Sequence, residues 1–145
     1  NADFELLHST QLIEKLIIEG AIRLGIVNTT VTYHDPCDLG RNGGIYDAPR
    51  KILKSIPGLT LVELENNHAQ SICCGGGGNL EMADPNLSET LAWKKIQEIQ
   101  RTGAKTVVTS CQQCIRTIKS RARRKKINLD VLDITELVLK AISHS

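Results

Sequence analysis

A strand-like run leads straight into two cysteines in the stretch Lys105-Thr106-Val107-Val108-Thr109-Ser110-Cys111-Gln112-Gln113-Cys114. Valine and threonine favour a β-strand over 105–109. The residues that follow predict a basic helix over about 112–126. The two cysteines are therefore expected at the N-terminus of a helix, where free N–H groups and the helix dipole favour thiolates.

The same alternation of strand and helix continues on both sides of this stretch. Apolar spacing and turn residues predict strands over 31–34, 59–64 and 129–132, and helices over 3–19, 48–55, 84–101 and 135–142. Strands that alternate with helices predict an α/β fold, with a parallel sheet of about four strands covered by helices on both faces. We divide the chain into an N-terminal helical segment, 1–27, and a single domain, 28–145.

The cysteines all follow predicted strands. Cys37 comes after the first strand, the pair Cys73-Cys74 after the second, and Cys111 and Cys114 after the third; these five are all the cysteines in the chain. In open α/β sheets, ligands bind outside the carboxyl ends of the strands. Thiolates select iron–sulfur clusters, zinc or copper(I). The sequence therefore predicts a metal or redox centre at this edge of the sheet.

Several other residues are candidates for the same site. The loop glycines Gly75, Gly76 and Gly77 would let the backbone come close to a bound cofactor and direct its N–H groups at it. The alternative is a flexible linker, which would have the same composition. His34 is a candidate proton donor, because the pKa of histidine lies near neutrality; the alternative is a strand-end histidine bound to the backbone. His68 is a weaker candidate for an extra ligand. The basic charges on the helix over 112–126 either offset an anionic centre or form a solvated face.

The length, composition and charge of the chain limit the classes of protein to which it could belong. A chain of 145 residues is large enough to bury one core, and no apolar run is long enough to span a bilayer. The net charge of +2 gives no reason to expect a nucleic-acid partner. An odd number of cysteines and a start without a leader pattern argue against export, so we expect reduced thiols and a cytoplasmic location.

Three sequence boxes carry a family resemblance. The spacing C-x35-C-C-G-x35-C-x-x-C resembles that of the cysteine-rich CCG domain. The three boxes that resemble those of the family are Tyr33-His34-Asp35-Pro36-Cys37-Asp38-Leu39-Gly40-Arg41, Cys73-Cys74-Gly75-Gly76-Gly77-Gly78, and the stretch from Thr102-Gly103-Ala104 to Cys111-x-x-Cys114. This domain occurs in B- and D-type subunits of heterodisulfide reductase. It also occurs in iron–sulfur subunits of glycolate oxidase and of anaerobic glycerol-3-phosphate dehydrogenase. The resemblance covers residues 28 to 142.

The resemblance implies an iron–sulfur function. In heterodisulfide reductases, each such motif holds a non-cubane [4Fe-4S] cluster through five thiolates, which correspond here to Cys37, Cys73, Cys74, Cys111 and Cys114. Electrons then pass to a disulfide, or between a flavin and a quinone in related complexes. The family also implies a fragment of a longer tandem-domain protein. Its partners would be ferredoxin-like or flavin-containing domains or subunits, through which it would associate with a membrane.

Two other functions remain open at this stage. Four of the five thiolates would complete a tetrahedral zinc site in a structural or partner-binding module. A thioredoxin-like thiol exchanger would use Cys111 and Cys114 alone. Such an exchanger would not need Cys37 or the paired cysteines, so the predicted fold argues against it.

Overall fold

Four parallel strands form one sheet in the computed structural model, which describes residues 3–143. The outermost residues of the two predicted segments, 1–2 and 144–145, lie outside the described residues. The strands are β1 (Thr29–His34), β2 (Leu59–Val62), β3 (Thr106–Thr109) and β4 (Asp130–Asp133). The α-helices are α1 (Ser9–Ile18), α2 (Asp47–Ser55), α3 (Leu80–Ala83), α4 (Pro85–Arg101), α5 (Gln112–Arg124) and α6 (Ile134–Ile142).

The strand order is β2-β1-β3-β4, with every neighbouring pair parallel. The central strand β1 pairs with both β2 and β3: Val31 lies opposite Leu61 on one side and Thr106 on the other. Because all four strands run the same way, the segments that follow them emerge at one edge of the sheet. The predicted fold class is thereby confirmed.

Helices cover both faces of the sheet. One core lies between the sheet and α1, α2 and α6; it includes Val31, Tyr33, Val108, Ile52 and Leu137. A second core lies between the sheet and α4 and α5. It consists of Leu64, Cys74, Ile96, Ile99, Val107, Cys114, Ile118, Ala122 and Val131. Two of the cysteines therefore belong to the hydrophobic core on the second face.

The structure corrects the prediction at the start of α1 and at the end of β2, and it adds a short helix that was not predicted. Helix α1 begins at Ser9, not at residue 3, because His8 caps it: His8 Nδ1 accepts the N–H of Thr10, and Gln11 Oε1 accepts the N–H of His8. Strand β2 ends at Val62, and Glu63 turns towards Arg50 instead of continuing the sheet. The short helix α3, absent from the prediction, follows the glycine loop. Within residues 3–143, no helix is both long enough and apolar enough to cross a membrane.

Candidate metal centre

The cysteines lie together at the carboxyl edge of the sheet. Cys37 follows β1 and precedes a single π-helical turn over Asp38–Asn42. Cys73 and Cys74 lie in the loop after β2, while Cys111 is the N-cap of α5 and Cys114 lies in its first turn. All five are free thiols; Cys74 and Cys114 are buried and the other three are partly exposed. Residues that are distant in sequence thus form one site with an inner and an outer part.

Backbone N–H groups point at several of the sulfurs. The N–H of Gly75 donates to Cys73 Sγ at 3.3 Å, and the N–H of Gly76 donates to the Cys74 sulfur. The N–H groups of Gln113 and Cys114, in the first turn of α5, donate to the Cys111 sulfur. Hydrogen bonds of this kind stabilise thiolates, and they also suit the sulfurs of a bound cluster.

The thiols lie close enough to shift one another's pKa values. Contact with Cys114, together with the two N–H groups, lowers the pKa of Cys111 to about 6. Contacts with Cys114 and Cys73 lower the pKa of Cys74. The pKa values of Cys73 and Cys114 are raised, since each holds its proton against a neighbouring thiolate. The site therefore mixes thiolates with retained protons, and metal cations would displace those protons.

His34 belongs to the inner part of the site. Its side chain is 1% exposed, and one ring nitrogen lies within 4.8 Å of the sulfurs of both Cys74 and Cys114. Neither ring nitrogen makes a well-formed hydrogen bond. Burial lowers the pKa of His34, so the ring is neutral near pH 7. Two thiols and an unsatisfied imidazole facing the same space are a donor set that fits a soft metal centre.

The glycine loop packs tightly against two helices. A Cβ on Gly75 would lie 2.5 Å from the carbonyl oxygen of Ser88 in α4, and one on Gly76 would overlap Thr117 Oγ1 in α5. Gly75 also has φ of +83°, which favours glycine. A Cβ on Gly77 would meet nothing within 4 Å. Positions 75 and 76 require glycine because the loop packs closely against α4 and α5 beside the sulfurs. A cofactor-binding role for Gly75, Gly76 and Gly77 stays a prediction.

A buried ionic network lies beside the site and was missed at the sequence level. Arg50 binds Asp35 through two hydrogen bonds, of 2.7 and 2.8 Å, and binds Glu63 through two more. Burial alone would raise the pKa of Asp35, but Arg50 outweighs it and the pKa is lowered. Asp35 also accepts the N–H of His68, whose ring contacts Asn67 and Tyr46. The structure therefore gives His68 partners away from the sulfurs, and its role as a ligand stays an unsupported prediction.

A second buried ion pair lies behind His34. Lys95 in α4 is 0% exposed, and its Nζ lies 2.6 Å from Glu98 Oε2. Glu98 also accepts the backbone N–H and the side-chain amide of Asn66. Burial lowers the pKa of Lys95, and Glu98 opposes this effect. A helical-wheel reading could have found this pair, since Lys95 shares a face with the buried Ala92, Ile96 and Ile99.

The outer part of the site borders a cavity. This cavity of about 280 Å³ has apolar walls from residues such as Leu39 and Ile45, and polar groups from His8, Ser110 and Cys111. Cys111 therefore offers a sulfur that a small molecule could reach from solvent. On the other side of α5, Arg116 pairs with Glu81, and Lys125 lies near Glu89 and over the ring of Trp93. These two cations thus pair with acidic residues of α3 and α4.

Comparisons with known proteins agree with the site. A family model described as a cysteine-rich domain, CCG, matches residues 31–119. The chain is 35% identical to the D-type subunit of dihydromethanophenazine:CoB–CoM heterodisulfide reductase from Methanosarcina barkeri, over 98% of this chain and 35% of that protein. It is 41% identical to the B-type subunit of the CoM/CoB fumarate reductase from Methanothermobacter marburgensis, over 84% of this chain and 24% of that protein. It is 28% identical to a probable iron-sulfur-binding oxidoreductase from Bacillus subtilis, over 95% of this chain and 20% of that protein. The chain thus spans about a third or less of the length of these relatives.

Proposed function

The chain belongs to the CCG cysteine-rich domain family, and from this premise we propose that it is the iron–sulfur-cluster-binding domain of a heterodisulfide-reductase-like oxidoreductase. In this proposal, Cys37, Cys73, Cys74, Cys111 and Cys114 hold a [4Fe-4S] cluster of the non-cubane kind. Electrons pass to a disulfide, or within a flavin- or quinone-linked complex. The domain is part of an enzyme and is inactive when isolated from its other domains or subunits.

The contacts that link the sulfurs of Cys73, Cys74, Cys111 and Cys114 are the observation that carries this proposal. Cys37 enters it through its place directly after β1, at the same edge of the sheet. Thiolates hold iron–sulfur clusters, which supply one-electron chemistry, and hydrogen bonds to the sulfurs set their potentials. The chain's own contribution is to keep Cys74 and Cys114 out of water and to direct N–H groups at Cys73, Cys74 and Cys111. The loop of Gly75, Gly76 and Gly77 brings the backbone close to this space.

Two features of the site bear on a disulfide substrate. The cavity beside Cys111 is open to solvent and has the apolar walls that suit an aliphatic disulfide. His34, our candidate proton donor, lies in the buried inner part instead. A proton from His34 would therefore reach Cys74 or Cys114 as a thiolate, whereas His34 does not line the cavity beside Cys111.

The relatives support a proposal about the partners of this domain. The proteins matched include subunits of two different reductases, so we propose that the domain works beside ferredoxin-like or flavin-containing domains or subunits. We place it in the cytoplasm, in contact with a membrane only through such partners.

One observation favours a second candidate, a zinc-binding structural or partner-binding module. His34, Cys74 and Cys114 offer three donor atoms within 4.8 Å of one another, and Cys111 contacts Cys114. Three cysteines and one histidine make a common structural zinc site. Such a site would leave Cys37 and Cys73 unused.

Metal analysis of anaerobically prepared protein separates the two candidates. We expect about four irons and four acid-labile sulfides per chain, with an EPR signal after oxidation. Replacing Cys37 with serine should then lower the iron content, whereas a zinc site built on the inner residues would keep its metal in this variant. Stoichiometric zinc, with no iron even after reconstitution, would refute the redox proposal.

A further inference from the structure

His34 has a buried ring whose nitrogen atoms lack hydrogen-bond partners. The ring is almost fully enclosed, and neither Nδ1 nor Nε2 forms a well-formed hydrogen bond. Burying an unpaired polar group destabilises the folded state, so native proteins rarely leave one without a partner. The position of the ring indicates where that partner lies.

The alternation of β1 fixes the direction of this side chain. Val31 and Tyr33 enter the core under α1, α2 and α6, so His34 projects from the opposite face, towards α4 and α5. Its backbone is held there, since it lies opposite Thr109 and its carbonyl accepts the Thr109 hydroxyl at 2.9 Å. A ring nitrogen of His34 lies within 4.8 Å of the sulfurs of Cys74 and Cys114.

The chemistry of both groups points to one kind of contact. A neutral imidazole has a single N–H to donate, and a thiolate is an acceptor. A cysteine that binds a metal does so as a thiolate, so a sulfur that faces His34 is an acceptor once it is a ligand. The ring of His34 and the inner sulfurs therefore face each other as donor and acceptor.

We propose that the imidazole N–H of His34 donates a hydrogen bond to the Cys74 thiolate when that thiolate binds the metal centre, and so raises the reduction potential of the centre. The inference rests on the proposed iron–sulfur function. An N–H directed at a ligand sulfur stabilises the more negative, reduced form, so its removal favours the oxidised form. His34 then acts through a ligand and does not itself coordinate metal.

Pulsed EPR on reconstituted protein tests this contact directly. The protein is labelled with ¹⁵N-histidine and studied in its paramagnetic oxidation state. We expect a weak histidine nitrogen coupling that persists in His68→Gln, the matched control, and disappears in His34→Leu. His34→Gln retains an N–H donor, so it should keep a potential closer to that of the wild type than His34→Leu does, and His34→Leu should shift the potential to a more negative value.

Each result has a distinct meaning. Absence of iron in the wild type would overturn the proposed function itself. Iron without any histidine nitrogen coupling would overturn this inference alone, as would a coupling that survives in His34→Leu. A coupling as large as that of a directly coordinated imidazole would also overturn it, because His34 would then be a ligand. If His34→Leu fails to fold, His34→Gln makes the assignment, because it also removes the labelled imidazole: loss of the coupling in His34→Gln would support the inference, and its survival there would overturn it.

Discussion

Replacing Gly76 with alanine should disrupt the metal-binding loop through a steric clash with α5. The new Cβ would overlap Thr117 Oγ1 and would lie 2.8 Å from Gln113 Nε2 and 2.9 Å from Thr117 Cβ. Thr117 is 1% exposed and cannot swing into solvent. Gly76 has no positive φ, so the backbone itself would accept alanine and the clash can be measured alone.

The size of the effect follows from those distances. Carbon atoms in ordinary contact lie about 3.5–4.0 Å apart, so the contact with Thr117 Cβ alone requires a movement of roughly 0.5–1 Å of the loop or of α5, and the overlap with Thr117 Oγ1 requires a larger one. Overpacking of this kind costs about 1–3 kcal/mol of unfolding free energy, which lowers Tm by roughly 2–4 °C for each kcal/mol. The movement would also withdraw the Gly76 N–H from Cys74, so iron retention should fall together with stability.

Urea denaturation and iron analysis of reconstituted protein check this prediction. Gly77→Ala is the matched control, because its Cβ would meet nothing within 4 Å and it should match the wild type. Thr117→Ala in the Gly76→Ala background should restore part of the stability, since it removes Oγ1 but leaves the Thr117 Cβ in place. Equal stability of Gly76→Ala and Gly77→Ala would refute the packing argument.

Three further predictions concern the buried charges and the outer sulfur. Glu98→Ala leaves Lys95 without its partner in the core, so it should lower the unfolding free energy measured in urea by about 3–5 kcal/mol. The double variant Lys95→Met with Glu98→Met should recover most of that loss. Similar losses in the two variants would contradict the argument that an unpaired buried charge is the cause. In metal-free protein, the rate at which Cys111 is alkylated should rise with pH, with a midpoint near pH 6. Mass spectrometry of the peptide that contains Cys111 measures this rate. A midpoint above pH 8 would show that the N–H and thiol contacts do not lower the pKa of Cys111. Arg50→Met should cost about 3–5 kcal/mol at pH 7. Because Arg50 lowers the folded-state pKa of Asp35, its stabilisation is present above the unfolded pKa of about 3.9 and is lost as the pH falls below it. The difference in unfolding free energy between Arg50→Met and the wild type should therefore become smaller in urea titrations at lower pH. A difference that does not change with pH would show that the charge of Asp35 is not involved.

Local sequence patterns predicted most of the secondary structure because they record which faces are buried. Val107 and Val108 point to opposite cores, as expected for a strand covered on both faces. The start of α1 was missed because histidine is not among the preferred N-cap residues, although Gln11 three positions later was an available signal. The four-residue helix α3 is too short for any periodicity to reveal.

The ionic networks show where sequence reasoning stops. Arg50 contacts Asp35 and Glu63, which belong to different strand-to-helix segments, and nothing local marks these three as partners. Lys95 and Glu98, three residues apart, resemble an exposed helix pair. A helical wheel places Lys95 on an apolar face of α4, but the packing of α4 against the sheet is what shows that both side chains are buried.

The sequence by itself determined the fold class, the edge at which the five cysteines gather and the soft chemistry of their sulfurs, because strand–helix alternation and residue type are local properties. The tertiary structure alone decided the strand order, the burial of Cys74 and Cys114, and the contacts among the thiols. It also placed His34 against the inner sulfurs and away from solvent. These features depend on distances between segments about 35 residues or more apart, which are fixed only when both cores pack against the sheet.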